Sequence, residues 1–324
     1  MEVLLFQAVL IAAVLIAAVL IAAFLFYYLA FFSPFKGKND PYSFPRGKQY
    51  RQYLPQRLSL MHALEQRTFE EVTIISFDGL ELKGKYYHLD DTAPVDIFFH
   101  GYKGHALTGG CGFADIAFEL GHNFLLVDER GCMGSQGHTI SFGIKERHDV
   151  ESWLNYIVSR FGEDKEINIF GISMGAATVL MAAGLTLPGN IKHMIADCPY
   201  SDAGEIIRKV CVDRKLPDAV LYPFIRLGAR IFGGFDLTET NAAEAVKNCT
   251  VPILIIHGGK DGLIPAAMSE EIQKANPEYI RRAVFSEADH LMSQFVDRER
   301  YTALLKDFLR SEDAVQNDIS FSVR

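Results

Sequence analysis

The stretch FGISMGAATVL, residues 170–180, decides the fold because it joins an apolar run to a run of small residues through a glycine-rich turn. The apolar run that begins at Ile167 predicts a buried strand, and the small residues after the turn predict a closely packed helix. Between them, Gly171, Ser173 and Gly175 follow the pattern Gly-x-Ser-x-Gly. Glycines on both sides of a sharp strand-to-helix turn remove Cβ atoms that would clash with neighbouring backbone. This context predicts that Ser173 is a nucleophile.

From about residue 70 the chain alternates short apolar runs with helical patterns. Eight runs predict strands: VTIIS (72–76), LKGKYYHL (82–89), VDIFFH (95–100), NFLLVDERG (123–131), INIF (167–170), HMIADCPY (193–200), VPILIIHG (251–258) and AVFSEADH (283–290). Their alternation with helices predicts an α/β fold, with a mostly parallel central sheet of about eight strands and helices on both faces. Residues 201–250 are longer than an ordinary crossover and rich in Leu, Ile and Phe, so they predict a helical lid insert.

The amino-terminal segment differs from the rest of the chain. Residues 3–35 contain no charged residue, and AVLIA occurs there three times in succession. About 20 apolar residues are enough to cross a bilayer. A cleaved signal peptide would need a basic start and a shorter apolar run. Residues 1–35 therefore predict a transmembrane anchor, with an interfacial aromatic belt of Tyr27, Tyr28, Phe31 and Phe32.

The charges that follow the anchor predict its orientation. Six basic residues lie between residues 36 and 57, against Asp40 alone. The positive-inside rule then predicts a single-pass protein of the cell membrane with its large domain in the cytoplasm. We expect residues 36–66 to be a juxtamembrane connector, residues 67–310 the α/β domain, and residues 311–324 a polar tail.

Composition excludes several classes of function. The net charge of −8 gives no basic footprint for nucleic acid. The five cysteines are scattered without a C-x-x-C pair, which argues against a disulfide framework or a zinc site.

A nucleophilic serine needs a base with a pKa near 7 and a carboxylate behind that base. His290 is the predicted base, because it follows the last predicted strand and lies far downstream of Ser173. His257 is the closest alternative, and its spacing suits a structural partner of the acid loop. Asp261, in the turn after the preceding strand, is the predicted acid. Asp197 is the alternative acid.

Two further predictions concern the loops around the serine. Asp128 precedes Ser173 in the chain, so the order is wrong for the acid and we expect it to be structural. The oxyanion hole should use the backbone N–H groups of Met174, which follows the nucleophile, and of Tyr102, in the HGYKG loop after a strand.

These residues resemble the α/β-hydrolase superfamily. The resemblance runs from about residue 72 to residue 309 and rests on HGYKG, DERGCMGSQG, GISMG, KDGLIP and ADH, in the order Ser, Asp, His. Within the superfamily the chain is similar to membrane-anchored bacterial hydrolases grouped as serine aminopeptidase-like or Bem46-like. The resemblance implies acyl transfer through an acyl-enzyme on Ser173, without a metal or cofactor.

Three functions stay open at this point. The first is hydrolysis of an ester-type bond, including a lipid ester or a thioester, in a small-molecule or lipid-like acyl substrate, with the bilayer as the anchor's partner. The second is aminopeptidase-like amide hydrolysis, for which Glu239 and Glu244 in the lid could hold the substrate's amine. The third is a binding module with a hydrolase fold and no turnover.

Overall fold

A computed structural model describes residues 1–34, 42 and 47–311. The predicted tail, beyond its first residue, lies outside the described residues, as does much of the first half of the predicted connector.

One eight-stranded sheet forms the centre of the molecule, and it confirms the predicted fold class. Its strands are β1 (Glu70–Ile75), β2 (Glu81–Tyr87), β3 (Val95–Phe99), β4 (Asn123–Val127), β5 (Ile167–Ile172), β6 (Ile191–Asp197), β7 (Ile253–Gly258) and β8 (Ile280–Phe285). The order across the sheet is β1-β2-β4-β3-β5-β6-β7-β8. The β1–β2 and β2–β4 pairs are antiparallel, and the other pairs are parallel. The parallel strands β3, β4, β5 and β7 are buried along their whole length, as their apolar runs predict.

Helices cover both faces of the sheet. The described helices are α1 (Glu2–Ala30), α2 (Lys48–Arg51), α3 (Leu54–Glu65), α4 (Ala106–Leu120), α5 (Glu146–Phe161), α6 (Met174–Ala182), α7 (Ala203–Asp213), α8 (Asp218–Gly228), α9 (Ala242–Ala245), α10 (Ala266–Ala275), α11 (Ser293–Val296) and α12 (Arg298–Arg310). Trp153 of α5 and Val179 of α6 belong to one buried apolar cluster. Phe113 of α4 and Leu305 of α12 belong to the other. The two clusters are the cores on either side of the sheet.

The predicted lid, residues 201–250, is helical. It contains α7, α8, a π-helical turn (Ala229–Gly233) and α9, all between β6 and β7. The lid packs on the last turns of α1: a Cβ atom at Gly228 would overlap the carbonyl oxygen of Ala23. Glycine at this position therefore allows the backbones of α8 and α1 to approach each other closely.

Helix α1 is the one described helix that is long and apolar enough to span a membrane. Its first 20 residues, 2–21, are exposed, so it is not a core helix. The aromatic belt expected at its end is only partly available to lipid, and this is a correction. Tyr27 and Phe31 are buried in the domain, where Phe31 packs edge-on against Phe142 and Phe235. The carboxyl-terminal end of α1 packs into the core of the domain, which the composition of the run alone does not reveal.

The segment predicted as a connector contains α2 and α3 in its described part. Helix α3 packs against α4 and buries Met61 and Leu64. This half of the segment is therefore structured against the α/β domain, and the domain limits at residues 36, 67 and 310 stay predictions.

Candidate active site

Ser173 stands at the turn between β5 and α6. Its backbone has φ +54° and ψ −118°, a strained conformation that projects the side chain away from both elements. The N–H of Ser173 donates to the carbonyl of Asp197 at 2.8 Å, which ties the turn to the end of β6. Because α6 begins at Met174, its free N–H groups point toward the serine.

The two glycines of the motif are required by close backbone contacts. A Cβ atom at Gly171 would overlap the carbonyl of Gly175, and one at Gly175 would overlap the carbonyl of Phe99 at the end of β3. Both contacts involve backbone, which cannot move aside as a side chain can. The pattern Gly-x-Ser-x-Gly is therefore a packing requirement of this turn.

The structure brings the three predicted catalytic side chains together. The Oγ atom of Ser173 lies 3.0 Å from Nε2 of His290, and Nδ1 of His290 lies 2.7 Å from Oδ2 of Asp261. His290 follows β8 and Asp261 follows β7, so all three residues come from loops at the carboxyl edge of the sheet. Ser173 is 9% exposed and His290 is 5% exposed, so the chain of hydrogen bonds is mostly shielded from water. This geometry is that of a nucleophile, a base and an orienting acid.

Asp261 is held as a carboxylate. Its Oδ1 accepts the N–H groups of Leu263 and Ile264 at 2.9 and 2.7 Å, which leaves Oδ2 for His290. Burial alone would raise the pKa of Asp261. Hydrogen bonds from His257, His290 and the Ile264 backbone outweigh burial and hold that pKa well below its ordinary value. A negative carboxylate in this place favours a protonated imidazole during a reaction.

The alternative residues lie in other positions. Asp197 accepts a hydrogen bond from the hydroxyl of Tyr301 at 2.8 Å, and burial raises its pKa to about 6. His257 Nε2 donates to the carbonyl of Ile264 at 2.9 Å and lies 3.5 Å from Asp261, as a structural partner of the acid loop would. The carboxylate of Asp128 accepts from the N–H of Gly134 at 3.3 Å.

The loop predicted to complete the oxyanion hole lies beside the serine. A Cβ atom at Gly101 would lie 3.3 Å from Cβ of Ser173, so Gly101 leaves the room that a substrate carbonyl needs. Tyr102 follows it, and its hydroxyl donates to the carbonyl of Ala30, the last residue of α1, at 2.6 Å. This loop is thus in direct contact with the end of the amino-terminal helix.

His100 holds this loop in place through hydrogen bonds at both of its ring nitrogens. Its Nδ1 donates to the carbonyl of Gly101 at 2.8 Å, and its Nε2 accepts the N–H of Glu129 at 3.0 Å. Burial lowers the pKa of His100 to about 4, so the ring stays neutral at physiological pH and can accept at Nε2. The sequence signal was the position of the histidine before Gly101 at the end of a buried strand.

The acidic residues considered for an amine-binding lid are both paired. Glu239 forms an ion pair with Arg147 at 2.6 Å, and Glu244 pairs with Lys247 at 2.5 Å. Each carboxylate already has a basic partner, so neither is available as an unpaired group for a substrate's amine.

One group of described residues has donor atoms close enough for a metal ion: Cys198, Asp261 and His290 lie within 4.8 Å of one another. Burial, together with the nearby carboxylates of Asp197 and Asp261, raises the pKa of the Cys198 thiol well above its ordinary value. A thiol that resists ionisation is a poor metal ligand. The Nδ1 atom of His290 is also already bonded to Asp261. These donors fit the hydrogen-bond chain to Ser173 better than they fit a metal.

Comparisons with known proteins agree with this architecture. YqkD of Bacillus subtilis is 27% identical over 253 residues, which are 77% of this chain and 82% of that protein. The thiohydrolase aneE of Aspergillus aculeatus is 26% identical over 142 residues, 43% of this chain and 44% of that protein. The solved structure of the Pyrococcus furiosus esterase Pf2001 superposes with a TM-score of 0.61 at 22% identity, and the match covers 85% of this chain and 98% of the esterase.

A family model provides the final comparison. Residues 97–230 match the family described as alpha/beta hydrolase fold, and this range contains the HGYKG loop and Ser173. The Bem46-like grouping stays a prediction, because the name of the relative YqkD does not state a function or a subgroup. The family match over residues 97–230, the strand order of the sheet and the structural similarity show that the chain has an α/β-hydrolase fold.

Proposed function

We propose that the protein is a membrane-anchored serine hydrolase that cleaves an ester-type bond through an acyl-enzyme on Ser173. The observation that carries this proposal is the continuous chain of hydrogen bonds from Ser173 Oγ through His290 to Asp261, at 3.0 and 2.7 Å. Serine hydroxyls are weak nucleophiles at neutral pH, and a base at this distance can remove the proton as the oxygen attacks.

The reaction would proceed in two halves. In the first, Ser173 Oγ attacks the substrate carbonyl while His290 Nε2 takes the hydroxyl proton. The backbone N–H groups of Met174 and Tyr102 would stabilise the oxyanion, and His290 would then protonate the leaving alkoxide. In the second half, water attacks the acyl-enzyme, His290 takes the water's proton, and the acid leaves as Ser173 recovers its own. Asp261 would keep the imidazole in one tautomer and stabilise its protonated form.

An ester is favoured over an amide for two reasons. Both lid carboxylates that could hold a peptide's amine are engaged in ion pairs. One structurally similar protein is named an esterase and one relative is named a thiohydrolase, and neither name refers to amide hydrolysis.

A retained anchor is favoured over a cleaved signal because the end of α1 is bonded into the domain. The hydroxyl groups of Tyr27 and Thr139 are 2.7 Å apart. The N–H of Ile140 donates to the carbonyl of Phe31 at 2.8 Å. Cleavage at the end of the helix would remove these contacts from the core. The positive-inside bias supports a cytoplasmic domain.

Labelling with a fluorophosphonate probe tests the reaction. We expect the wild type to be labelled, Ser173→Ala to be unlabelled, and Ser152→Ala, at a partly exposed serine of α5, to be labelled like the wild type. An unlabelled wild type would favour the non-catalytic binding module. A panel of p-nitrophenyl esters against aminoacyl-nitroanilides then separates ester from amide hydrolysis, and faster cleavage of the anilides would overturn the ester assignment.

Protease digestion of intact cells tests the orientation. We expect the domain to be protected, and digestion from outside would contradict the cytoplasmic placement.

A further inference from the structure

The last two turns of α1 have two different faces. One face packs on the protein and buries Ala23 and Tyr27. The other leaves large apolar side chains in the open, among them Leu25 and Leu29, which is 67% exposed. Exposed apolar surface is unfavourable in water by about 25 cal/mol per Å², and a helix that is apolar all round is typical of a membrane environment.

The lid continues this exposed face. The ring of Phe232, in the π-helical turn, packs edge-on against Phe24 of α1 with centroids 5.2 Å apart. Its neighbour Ile231 is half exposed. We call the exposed apolar side chains that α1 and the lid share at this junction the lid–anchor patch, and they are Phe24, Leu25, Tyr28, Ile231 and Phe232.

The position of the patch matches the thickness of a bilayer. Residues 2–21 of α1 are exposed, and packing on the protein begins at residues 22–23. At 1.5 Å per residue, 20 helical residues span about 30 Å, which is the thickness of the hydrocarbon core. If the free part of α1 crosses that core, the lid–anchor patch lies at the boundary between acyl chains and headgroups.

The same junction lies next to the candidate active site. The carbonyl of Ala30 accepts the hydroxyl of Tyr102 at 2.6 Å. Tyr102 follows Gly101, which lies against Ser173. One short loop therefore lies between the end of α1, which would be at the membrane surface, and Ser173.

We propose that the lid–anchor patch is immersed in the bilayer that α1 crosses, and that it holds the catalytic cleft at the membrane surface. The substrates are then esters whose acyl chains reside in that bilayer. This inference rests on the proposed function, and it adds the surface that contacts lipid and the class of substrate. Continuity with the spanning helix is the reason for choosing a bilayer over a protein partner, because the patch and the helix form one apolar surface.

Depth-dependent fluorescence quenching tests the surface. All five native cysteines are buried, so a single exposed cysteine can be labelled selectively with an NBD fluorophore. We would label Ile231→Cys in the lid–anchor patch, Leu10→Cys in α1 as the membrane reference, and Ile75→Cys on edge strand β1 as the matched control, which is exposed like Ile231. The full chain is reconstituted in phosphatidylcholine vesicles that contain lipids with nitroxide-labelled acyl chains.

We expect strong quenching at positions 10 and 231 and none at position 75. Quenching at 231 no stronger than at 75, with position 10 quenched, would overturn the immersed patch and leave the anchor intact. Fluorophosphonate labelling of the same samples reports separately on Ser173, so failure of the hydrolase assignment can be distinguished from failure of the immersed patch.

A second measurement tests the substrate class. The rate with a long-chain ester embedded in vesicles is divided by the rate with a short-chain, water-soluble ester. We expect this ratio to fall about tenfold in Ile231→Glu, because a carboxylate is unfavourable at the acyl boundary, and to stay at the wild-type value in Ile75→Glu. An unchanged ratio in Ile231→Glu would overturn the assignment of membrane-resident substrates.

Discussion

Two pairs of histidine and aspartate whose side chains are largely buried lie at opposite edges of the same sheet. At the carboxyl edge, His290 Nδ1 lies 2.7 Å from Asp261. At the amino edge, His122 Nδ1 lies 3.0 Å from Asp96, which is fully buried. The two pairs contain the same chemical groups at nearly the same distance, yet only the first one continues to a serine hydroxyl, that of Ser173.

The amino-edge pair belongs to a cross-strand ladder. Asp96 of β3, Asn168 of β5 and His193 of β6 are neighbours in register. Asn168 donates to Asp96 at 2.7 Å, and its side-chain oxygen lies 2.9 Å from Nδ1 of His193. A groove of about 840 Å³ lies beside His193, and its lining includes Leu187 and Arg310. The polar side chains of the ladder thus form hydrogen bonds with one another within the sheet.

The difference shows that the role of a histidine–aspartate pair depends more on its position relative to the strands than on its chemical identity. At the carboxyl edge the chain leaves each strand into a loop, and the turn at Ser173 places a hydroxyl and the start of α6 beside the histidine. Ligands bind at this edge in open α/β sheets. At the amino edge the same groups serve packing. Substitutions at the two aspartates can separate these roles.

The largest effect is expected for Asp261→Asn. The variant's Oδ1 can still accept the N–H groups of Leu263 and Ile264, so the loop keeps its shape. Its amide would face His290 Nδ1 with a donor and favour the wrong tautomer. We expect kcat/KM to fall about 10³- to 10⁴-fold, with a small change in Tm, as measured by ester hydrolysis and thermal unfolding. A loss below tenfold would mean that Asp261 is not the acid, and Asp197→Asn would then be the variant to assay.

The second substitution, Asp96→Asn, should give the opposite result. It removes the carboxylate that faces His122, and we expect the free energy of unfolding to fall by roughly 1–3 kcal/mol while kcat/KM stays within about threefold. Burial opposes ionisation of His122, but the hydrogen bond and charge of Asp96 outweigh it and raise the pKa of His122.

The pH dependence of this loss has a defined sign. A raised histidine pKa contributes stability that is fully present below about pH 6.5 and is lost as the pH rises through the folded-state value. The loss in Asp96→Asn should therefore shrink from pH 6 to pH 9 in chemical denaturation. A loss of activity without a loss of stability would contradict the structural assignment.

The carboxyl edge could be predicted from the sequence, and the amino edge could not. Each member of the proposed triad follows a short apolar run, and the order Ser173, Asp261, His290 is itself a linear signal. The ladder of Asp96 and Asn168 depends on the register of strands 72 residues apart in the chain, which no local pattern encodes.

The amino-terminal helix shows the same limit. Its apolar run predicts a span, but Tyr27 and Tyr28 are adjacent in sequence, and one is buried while the other is exposed. Which side of the helix meets the lid depends on tertiary contacts such as the close approach at Gly228.

A further buried carboxyl group, that of Glu129, has no hydrogen bond to a histidine among the described residues and can be compared with the two pairs. Glu129 lies next to Arg130 in the loop after β4, and neither of its oxygens has a hydrogen-bond partner among the described residues. Burial, together with the charges of Glu146 and Asp149, raises the pKa of Glu129 well above its ordinary value. The folded state therefore binds a proton that the unfolded state releases above about pH 4.3.

The variant Glu129→Gln removes this linkage. The stability of the wild type should fall as the pH rises, by up to about 1.4 kcal/mol per pH unit from this group. We expect Glu129→Gln to raise Tm at pH 8 and to have a smaller effect at pH 5, in thermal unfolding of both proteins at each pH. A gain that is equal at the two pH values would show that Glu129 is ionised in the folded state.

The smallest effect is expected for Tyr102→Phe, which tests how the carboxyl edge is joined to the anchor. The substitution removes the hydrogen bond to the carbonyl of Ala30 and keeps the ring, whose centroid lies 5.0 Å from that of Phe142. One partly exposed hydrogen bond contributes roughly 0.5–1.5 kcal/mol to stability. The donor proposed for the oxyanion is the backbone N–H of Tyr102, which phenylalanine retains.

We therefore expect a slightly lower Tm and a kcat/KM for a soluble ester within about threefold of the wild type. A loss of 10²-fold or more, as found when an oxyanion donor is removed, would mean that the hydroxyl acts on the substrate or that the contact with Ala30 sets the position of the loop. The second case is distinguished by a variant that lacks α1 and with it the carbonyl of Ala30. If that variant loses the same activity while keeping Tyr102, helix α1 orders the loop beside Ser173. Among the described contacts, the amino-edge ladder has no such contact with α1.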